Sequence, residues 1–394
     1  MRLPSTRTAL AGVALLALAG TTGGAAAPAA AARPAPAAQP APAARPAPAA
    51  AARPAPAIRP APATRPAPAS QAAASSIPSP YLFVHDPTMA KEGGTYYVFS
   101  TGDPAGTIGN GNIQIRTSPD LRQWTYAGTV FAQKPAWITA ALGNIPNLWA
   151  PDISYFGGLW HLYYAGSSFG SNNSVIGLAT SPTLNPRSPR YHWTDQGQVF
   201  RTTSSDDFNA IDPSLVSAPD GTKWLALGSF WSGIKLIQLD PATGKPASAS
   251  PHVYPLAEQP APDPLEGAGI TYHDGYYYLF AALGFCCRGI SSSYQIIAGR
   301  SKSVTGPYTD PAGTDLMNAG GMEVQGADQG MIGPGSPYVF TSGGRPFLVY
   351  HYYDAFSNGD AWLQVRPLSW TPDGWPVTGT PQVPVPGTGS AGSG

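Results

Sequence analysis

The sequence predicts an all-β protein, a five-bladed β-propeller that follows a Pro- and Ala-rich leader. A unit recurs five times from about residue 80: a turn, an aromatic-rich strand and then a second strand. The glycines that mark the five turns lie 54 to 69 residues apart and are Gly94, Gly158, Gly221, Gly275 and Gly344. Repeats of this length, each able to form a four-stranded sheet, are typical of propeller blades. Long helical periodicity is absent, which disfavours a TIM barrel.

The N-terminal segment, residues 1–27, has the pattern of a secretory signal peptide. Arg2 and Arg7 give a positive start, the apolar stretch Ala9–Gly20 follows, and Ala25–Ala27 fits a cleavage context. The apolar stretch is too short to span a bilayer, since a spanning helix needs about 20 apolar residues. We therefore expect a secreted, extracellular protein.

The segment that follows, residues 28–78, is rich in Pro, Ala and Arg and repeats the pattern Arg-Pro-Ala-Pro-Ala. Such a composition favours extended backbone with little apolar surface to bury, so we expect a disordered, semi-rigid linker. The propeller is predicted to cover residues 79–386, and a flexible Gly/Ser tail is predicted for 387–394.

The net charge of zero is the sum of two unlike parts. Residues 1–70 carry seven Arg and no acid, so the remaining 15 basic and 22 acidic residues give the rest of the chain a charge of −7. An acidic globule does not attract anionic polymers, which excludes a nucleic-acid binder that relies on overall basic charge. We expect a neutral polysaccharide as partner, no nucleic acid, no membrane, and a monomer.

The chain has two cysteines, the adjacent Cys286 and Cys287. Two buried thiols and a strained vicinal disulfide are both compatible with this spacing. A metal site is not predicted, because two adjacent thiols without further ligands fall short of the usual ligand count.

Acidic residues precede the turn glycines of the first four repeats by six to nine positions. The residues at this place in the five repeats are Asp86, Asp152, Asp212, Glu266 and, in the fifth, Ser336. If each lies at the start of its inner strand, four carboxyl groups converge at one end of the central channel and shift one another's pKa values. Repulsion within such a cluster, without basic partners, lowers the stability of the fold, so its presence indicates a function. Two carboxyl groups with separated pKa values are what glycosidic hydrolysis requires.

The protein is rich in aromatic residues, with 10 Trp and 19 Tyr. Most of those in the strands are expected to fill the space between blades. Trp149, Phe230 and Trp231 are different, because the pattern places them in loops beside the acids, where sugar rings can stack on them.

The domain resembles the endo-1,5-α-L-arabinanases of glycoside hydrolase family 43. Six motifs carry the resemblance, in order between about Tyr81 and Pro376: His85-Asp-Pro, Trp149-Ala-Pro-Asp-Ile, Asn209-Ala-Ile-Asp-Pro-Ser, Gly228-Ser-Phe-Trp-Ser-Gly, Phe285-Cys-Cys-Arg-Gly and Gly299-Arg-Ser-Lys. The resemblance implies cleavage of α-1,5-linked L-arabinofuranosyl bonds in arabinan by a single-step inverting mechanism. It implies Asp86 as general base, Glu266 as general acid, and Asp212 as the carboxylate that orients the acid and raises its pKa.

The resemblance also implies a set of sugar-binding residues around these carboxyl groups. They are Gly170, Asn209, Ala210, Ile211, Ser229, Phe230 and Trp231, with Trp149 and Asp152 lining the cleft. His85 is a further candidate for a hydrogen bond within the site.

The sequence departs from the family pattern at three places. Gly267-Ala268 follows the predicted acid where the family reads Ala-Pro, and Gly284 replaces an Asp before Phe-Cys-Cys. Ser336 stands where the family has the histidine that holds a hydrated metal ion on the axis. We therefore predict no metal-ligating residue and no required cofactor, with an axial hydrated Ca²⁺ as the alternative. His351 is not predicted to replace the missing ligand.

Two other functions stay open on the sequence alone. One is a propeller that binds glycan without cleaving it, which the altered residues near the acid and on the axis would fit. The other is a related family 43 enzyme, an arabinofuranosidase or a xylosidase. The sequence does not distinguish endo from exo cleavage.

Overall fold

The computed structural model describes residues 83–106 and 108–385. They form five antiparallel β-sheets that follow one another along the chain, which confirms the predicted five-bladed all-β propeller. Four predicted segments lie outside the described residues: the signal peptide (1–27), the linker (28–78), the first residues of the predicted domain (79–82) and the tail (387–394).

Each of the first two blades is a four-stranded meander with sequential strand order. Blade 1 consists of β1 (Thr88–Glu92), β2 (Thr95–Ser100), β3 (Gln114–Ser118) and β4 (Thr125–Thr129). Blade 2 consists of β5 (Trp149–Phe156), β6 (Leu159–Gly166), β7 (Ser174–Ser181) and β8 (Thr194–Thr202). The one α-helix among the described residues, α1 (Ala136–Leu142), lies in the connection between these two blades.

The other three blades repeat this plan, with one extra strand in blade 3. Blade 3 consists of β9 (Ser214–Ser217), β10 (Lys223–Leu227), β11 (Ile234–Asp240), β12 (Lys245–Pro246) and β13 (Tyr254–Ala257). Blade 4 consists of β14 (Leu265–His273), β15 (Tyr276–Leu283), β16 (Gln295–Ser301) and β17 (Met322–Gln325). Blade 5 consists of β18 (Met331–Ser342), β19 (Arg345–Asp354), β20 (Asp360–Trp370) and β21 (Pro376–Thr378). Short 3-10 helices occur at Gly109–Gly111, Gly289–Ser291 and Leu316–Asn318.

The ring is closed by the first residues that the structure describes. Phe83 forms a bridge with Trp362 of β20, and the Val84 N–H donates to the Ala361 carbonyl over 2.9 Å. Buried apolar side chains then fill the spaces between neighbouring blades; Leu162 and Tyr164 of blade 2, for example, pack with Phe99 of blade 1. The five inner strands β1, β5, β9, β14 and β18 are thereby fixed around a common axis, with their starts at one end of it.

The register of these strand starts differs from the sequence prediction. Each inner strand has a residue with positive φ at or near its start: Asp86 (50°), Ala150 (41°), Asp212 (54°), Gly267 (62°) and Ser336 (51°), with a second one, Gly333 (54°), in blade 5. Glu266 therefore precedes the equivalent position by one residue, and Asp152 follows it by two. The predicted equivalence of the four acids is correct for Asp86 and Asp212 and wrong for these two.

The physical reason is a set of irregularities in the strand pairing. The register between inner and second strands shifts between Trp149 and Asp152 in blade 2, and between Glu266 and Gly269 in blade 4. A β-bulge inserts an unpaired residue, so a count back from the turn glycine does not reach the same place in every blade.

None of the helices in the described part of the chain is long and apolar enough to cross a membrane.

Candidate active site

The starts of the inner strands enclose a small cavity on the propeller axis. Its volume is about 30 Å³, and the polar residues that line it are Asp86, Asp152, Asp212, Ser214, Ser336 and Tyr338. Four prolines complete the wall: Pro87, Pro151, Pro213 and Pro337. A cavity of this size accommodates one or two water molecules, since a single water needs about 10–15 Å³.

Asp86 lies just before β1, and its carboxylate has a hydrogen-bonding partner on both oxygens. Ser336 Oγ donates to Oδ1 over 2.5 Å. Thr101 Oγ1 donates to Oδ2 over 2.6 Å, and His85 Nδ1 lies 2.8 Å from the same oxygen. The Asp86 N–H donates to His351 Nδ1 over 3.2 Å, which fixes the backbone as well. The orientation of this carboxylate is therefore set by groups from blades 1 and 5.

These partners decide the protonation state of Asp86. Burial on its own would raise the pKa of Asp86, but the charge interaction and hydrogen bond with His85 outweigh it, and His351 and Ser336 lower the pKa further. The pKa of Asp86 is held well below its usual range. A carboxyl group in this setting is ionised at neutral pH, as a group that accepts a proton must be.

His85 is itself held by a second group of residues. Its Nε2 lies 2.8 Å from the Tyr353 hydroxyl, and that hydroxyl oxygen accepts the Cys287 N–H over 2.8 Å. The His85 ring stacks on His351 with 3.8 Å between the ring centroids. Burial lowers the pKa of His85, but the Asp86 carboxylate more than reverses this effect, so the pKa is raised.

Glu266 is the second residue of β14, and the groups that contact its carboxyl differ from those around Asp86. Ser229 Oγ donates to Glu266 Oε2 over 2.5 Å, and the Tyr294 hydroxyl donates to Oε1. Burial raises the pKa of Glu266 most strongly and the Asp86 charge raises it further, while the bonds from Ser229 and Tyr294 offset only part of this. The pKa of Glu266 is thus raised, which favours the protonated carboxylic acid.

Asp212 is the second carboxyl group with a raised pKa. Burial raises its pKa well above the usual range, and the charges of Glu266 and Asp86 add to the effect. A single hydrogen bond opposes it, from the Gly267 N–H to Oδ2 over 3.1 Å. Because Asp212 and Glu266 interact, their protons are lost as a coupled pair rather than independently.

Asp152 lines the axial cavity together with Asp86 and Asp212, at the end of the channel where the repeat pattern predicted it. Asp152 is 2% exposed, and Ser154 Oγ lies 3.5 Å from its Oδ1. Burial raises the pKa of Asp152 to about 7. Asp152 lies two residues past Ala150, the residue with positive φ in its blade, and the register between β5 and β6 shifts at this point.

Four of the predicted sugar-binding residues lie in or beside loops and are at least partly accessible. Trp149 is partly buried, and its Nε1 donates to Asn147 Oδ1 over 2.9 Å. Gly170 is exposed, Trp231 is 41% exposed, and the partly buried Phe230 ring lies 5.8 Å from that of Phe285. Phe230 and Trp231 both have positive φ, so a tight turn presents their side chains.

The other predicted binding residues are buried. Ala210 and Ile211 are 0% and 6% exposed, and Ser229 is turned towards Glu266. Asn209 is 3% exposed, and its Oδ1 accepts a hydrogen bond from Ser174 Oγ over 2.6 Å. This segment supports the backbone beside Asp212 from within the protein.

Sequence reasoning missed the side chains that hold the carboxyl groups in place. Thr101 follows β2 directly and also accepts the Ala150 N–H over 2.9 Å, so it connects the starts of β1 and β5. Tyr294 precedes β16, and Tyr353 ends the Tyr-His-Tyr-Tyr segment of β19. A polar residue at the end of a second or third strand is the signal that would have marked them.

The two cysteines form the vicinal disulfide that the sequence left open as one alternative. Among residues 83–106 and 108–385, two groups bring three potential metal ligands together: His85 with Cys286 and Cys287, and His85 with Asp86 and His351. In neither group are all three ligand atoms free of other contacts. The disulfide removes both thiolates from the first group, and in the second His85 Nδ1 contacts the Asp86 carboxylate while His351 Nδ1 accepts the Asp86 N–H.

One ionised carboxylate and one carboxyl with a raised pKa at the same channel mouth form an arrangement suited to acid–base hydrolysis of a glycosidic bond. The model of the family described as glycosyl hydrolases family 43 matches residues 77–376. The chain belongs to glycosyl hydrolase family 43. It is a glycoside hydrolase, and the alternative of a propeller that only binds glycan is set aside.

Characterised members of the family resemble the chain over its propeller. An extracellular endo-α-(1→5)-L-arabinanase of Bacillus subtilis is 41% identical over 295 residues, which are 74% of this chain and 87% of that protein. An extracellular exo-α-(1→5)-L-arabinofuranosidase of Cellvibrio japonicus is 38% identical over 304 residues, 74% and 85% of the two chains. The structure of an α-L-arabinanase of Cellvibrio cellulosa in complex with arabinohexaose has a TM-score of 0.69 and 38% identity, and covers 75% of this chain and 95% of that one.

Proposed function

We propose that this family 43 glycoside hydrolase cleaves α-1,5-linked L-arabinofuranosyl bonds in arabinan, within the chain of the polymer. The observation that carries the proposal is the different setting of two carboxyl groups at one channel mouth: Asp86 contacts Thr101, His85 and Ser336, of which His85 and Ser336 lower its pKa, whereas burial raises the pKa of Glu266. The substrate follows from the relatives, whose names specify arabinanase or arabinofuranosidase activity. The neutral sugar suits the acidic charge of the domain.

The roles of the carboxyl groups follow from their partners. Asp86, ionised and held by Ser336, Thr101 and His85, is the general base that removes a proton from the attacking water. Glu266, whose pKa is raised by burial, is the general acid, which in its protonated form donates a proton to the departing glycosidic oxygen. Asp212 is the third carboxyl group of the site: its titration is coupled to that of Glu266, and it orients the acid by accepting the N–H of Gly267, the residue that follows Glu266.

We propose an inverting, single-step reaction. In this mechanism water attacks from one face of the sugar while the acid protonates the oxygen on the other, and no bond forms between sugar and protein. The cavity beneath Asp86 offers room for a water molecule on the side of the base. The product released first should therefore carry the anomeric configuration opposite to that of the substrate, which proton NMR of the early reaction measures.

The test of the activity is the release of reducing sugar from linear, debranched arabinan by the full chain and by Glu266→Gln. We expect an active wild type and a variant reduced by at least about 10²-fold, since general acid catalysis contributes 10²–10⁴-fold. Glu323→Gln, the same change at an exposed position of β17, is the matched control and should retain full activity. A wild type that does not cleave linear arabinan, or a Glu266→Gln variant as active as the wild type, would contradict the proposal.

Exo cleavage of the same bonds is the second candidate, because one relative is an exo-acting arabinofuranosidase. Chromatography of early products separates the two modes. An endo enzyme releases a range of arabino-oligosaccharides from linear arabinan, whereas an exo enzyme releases one short product from the start. Parallel reactions on branched arabinan and on xylan test the alternatives of side-chain removal and xylosidase activity.

We propose that the enzyme acts outside the cell as a monomer. The signal-peptide pattern of residues 1–27 and the extracellular relatives support secretion. Detection of the protein in culture medium with its N-terminus near residue 28, and a monomer mass by light scattering, are the expected results.

A further inference from the structure

We propose that the Ser336 hydroxyl positions the catalytic base Asp86, and that this site therefore works without an ion on the propeller axis. The inference rests on the proposed function, because it takes Asp86 as the base. Its own observation is the hydrogen bond from Ser336 Oγ to Asp86 Oδ1 over 2.5 Å, between residues 250 positions apart in the sequence. Ser336 acts on substrate only through Asp86, so it is a positioning residue.

Ser336 has a distinct place among the donors around the base. Thr101 and His85 both contact Oδ2, whereas Ser336 is the donor to Oδ1. A carboxylate held by one oxygen alone can rotate about its bond to Cβ, while donors on both oxygens fix its plane. Each carboxylate oxygen accepts about two hydrogen bonds, so Oδ1 keeps one acceptor site for the attacking water.

The backbone of Ser336 directs its hydroxyl towards the axis, and it does so in a conformation that is unfavourable for most residues. Ser336 has φ of 51°, in the left-handed region that side chains other than those of Asn, Asp and Gly seldom adopt. Asp86 and Asp212 have the same conformation at the equivalent points of their blades. Backbone strain of this kind persists where the surrounding structure fixes it, often at functional sites. The conformation places Ser336 where the axial carboxylates lie.

Because Gly267 has no side chain, there is room beside it for Ser336. A Cβ built on Gly267 would lie 3.1 Å from Ser336 Cα and 3.3 Å from Ser336 Oγ, tighter than most real contacts. A methyl group there would press Ser336 away from Asp86. Two of the departures from the family pattern, Gly267 after the acid and Ser336 on the axis, are thus in contact with each other.

The donor set at this point does not fit an ion held by an axial side chain. Ser336 directs its hydroxyl proton to Asp86, and the ring nitrogens nearest to Asp86 are already engaged with its carboxylate and amide. A neutral hydroxyl is also a weaker ligand for Ca²⁺ than an ionised carboxylate. We derive no step of the reaction through a metal ion.

The experiment compares wild type with Ser336→Ala and Ser336→Gly on linear arabinan. Alanine removes the hydroxyl and keeps the strained φ, whereas glycine removes the hydroxyl and relieves the strain. Ser342→Ala is the matched control, since Ser342 lies on the same strand and contacts Lys91 and Tyr96 instead. Circular dichroism and melting temperature establish that each variant is folded.

Both hydroxyl-free variants should lose kcat by about 10- to 100-fold, the range for a hydrogen bond to a charged group, with KM changed little. The acidic limb of their kcat/KM profile should move up in pH, because the ionised form of Asp86 loses a donor. Unchanged kcat in both variants would overturn the inference. Loss in Ser336→Ala with full activity in Ser336→Gly would assign the effect to the backbone and overturn it as well.

Metal content is measured on the same full-length wild type by mass spectrometry after dialysis against EDTA. We expect less than one equivalent of any divalent metal, the same kcat before and after dialysis, and no effect of added Ca²⁺. A stoichiometric metal whose removal abolishes activity would contradict the proposed independence from an axial ion.

A third readout separates this inference from the proposed function. Carboxyl ¹³C NMR of Asp86 in wild type and Ser336→Ala gives the pKa of the side chain without any substrate. A higher pKa in the variant supports the positioning contact even if arabinan is not the substrate. Equal values in the two proteins would refute it even if arabinan is cleaved.

Discussion

Asp86 and Asp212 occupy equivalent places in blades 1 and 3, but their carboxyl groups have different hydrogen-bonding and charged partners. Each precedes a proline, each has positive φ, and each lines the axial cavity. The pKa of Asp86 is nevertheless held well below its usual range, and the pKa of Asp212 is raised well above it.

The difference lies in what the neighbouring blades contribute. Blade 5 supplies Ser336 and His351 to Asp86, and these groups favour its ionised form. Blade 4 supplies Glu266 to Asp212, a like charge that opposes ionisation. Repetition of one strand start therefore creates equivalent positions, and the partners from the neighbouring blade decide whether the pKa of a carboxyl group there is lowered or raised.

The largest effect is expected from Asp86→Asn. The amide cannot take a proton from water, so kcat on arabinan should fall by about 10⁴-fold. The loss should be the same for substrates with good and poor leaving groups, because the base acts on the water. A variant within tenfold of wild type would show that Asp86 is not the base.

Glu266→Gln should give a smaller loss that depends on the leaving group. On arabinan the expected reduction is about 10²- to 10³-fold. On an aryl arabino-oligosaccharide with an acidic phenol as leaving group, most of the activity should return, because that group departs without a proton. An equal loss on both substrates would remove Glu266 from the role of acid.

Asp212→Asn and Asp86→Asn should change stability in opposite directions at pH 7. The folded pKa of Asp212 is raised, so stability falls as pH rises above the unfolded value, and removal of the carboxyl removes this cost. The folded pKa of Asp86 is lowered, so its ionisation stabilises the fold above the unfolded pKa, and removal loses that contribution. We expect melting temperatures a few degrees above and below wild type, at roughly 2–4 °C per kcal/mol. Shifts of the same sign would contradict the comparison.

Tyr353→Phe should have the smallest effect of the four. It removes the hydroxyl between His85 Nε2 and the Cys287 N–H and leaves the partners of Asp86 in place. One hydrogen bond is worth about 1 kcal/mol, so kcat should fall roughly fivefold. Tyr352→Phe on the same strand is the control, and a loss as large as that of Tyr353→Phe would mean a general packing effect.

The propeller was predictable from the sequence because each blade repeats a turn glycine and an aromatic strand. The repeat pattern also predicted four acidic residues at one end of the axis, and three of them, Asp86, Asp152 and Asp212, line the same axial cavity. The equivalence of Asp152 and Glu266 with Asp86 was not predictable by counting, because bulges at the starts of β5 and β14 shift the register. A one-residue shift changes the side of the strand on which a side chain lies.

The partners of the carboxyl groups were beyond sequence reasoning for a different reason. Ser336 reaches Asp86 across 250 residues, and Tyr294 reaches Glu266 from a neighbouring strand. Such contacts depend on how adjacent blades pack, which the repeat pattern alone does not determine. The sequence therefore indicated the candidate carboxyl groups, and the structure adds the contacts that give them different pKa values.

The central claim is that Asp86 is ionised and Glu266 protonated in the working enzyme. The pH dependence of kcat/KM on linear arabinan measures both in the free enzyme. The account predicts no acidic limb near the ordinary aspartate value of about 3.9 and an alkaline limb above the ordinary glutamate value of about 4.3. An acidic limb at the ordinary aspartate value, or activity that persists undiminished to alkaline pH, would contradict it.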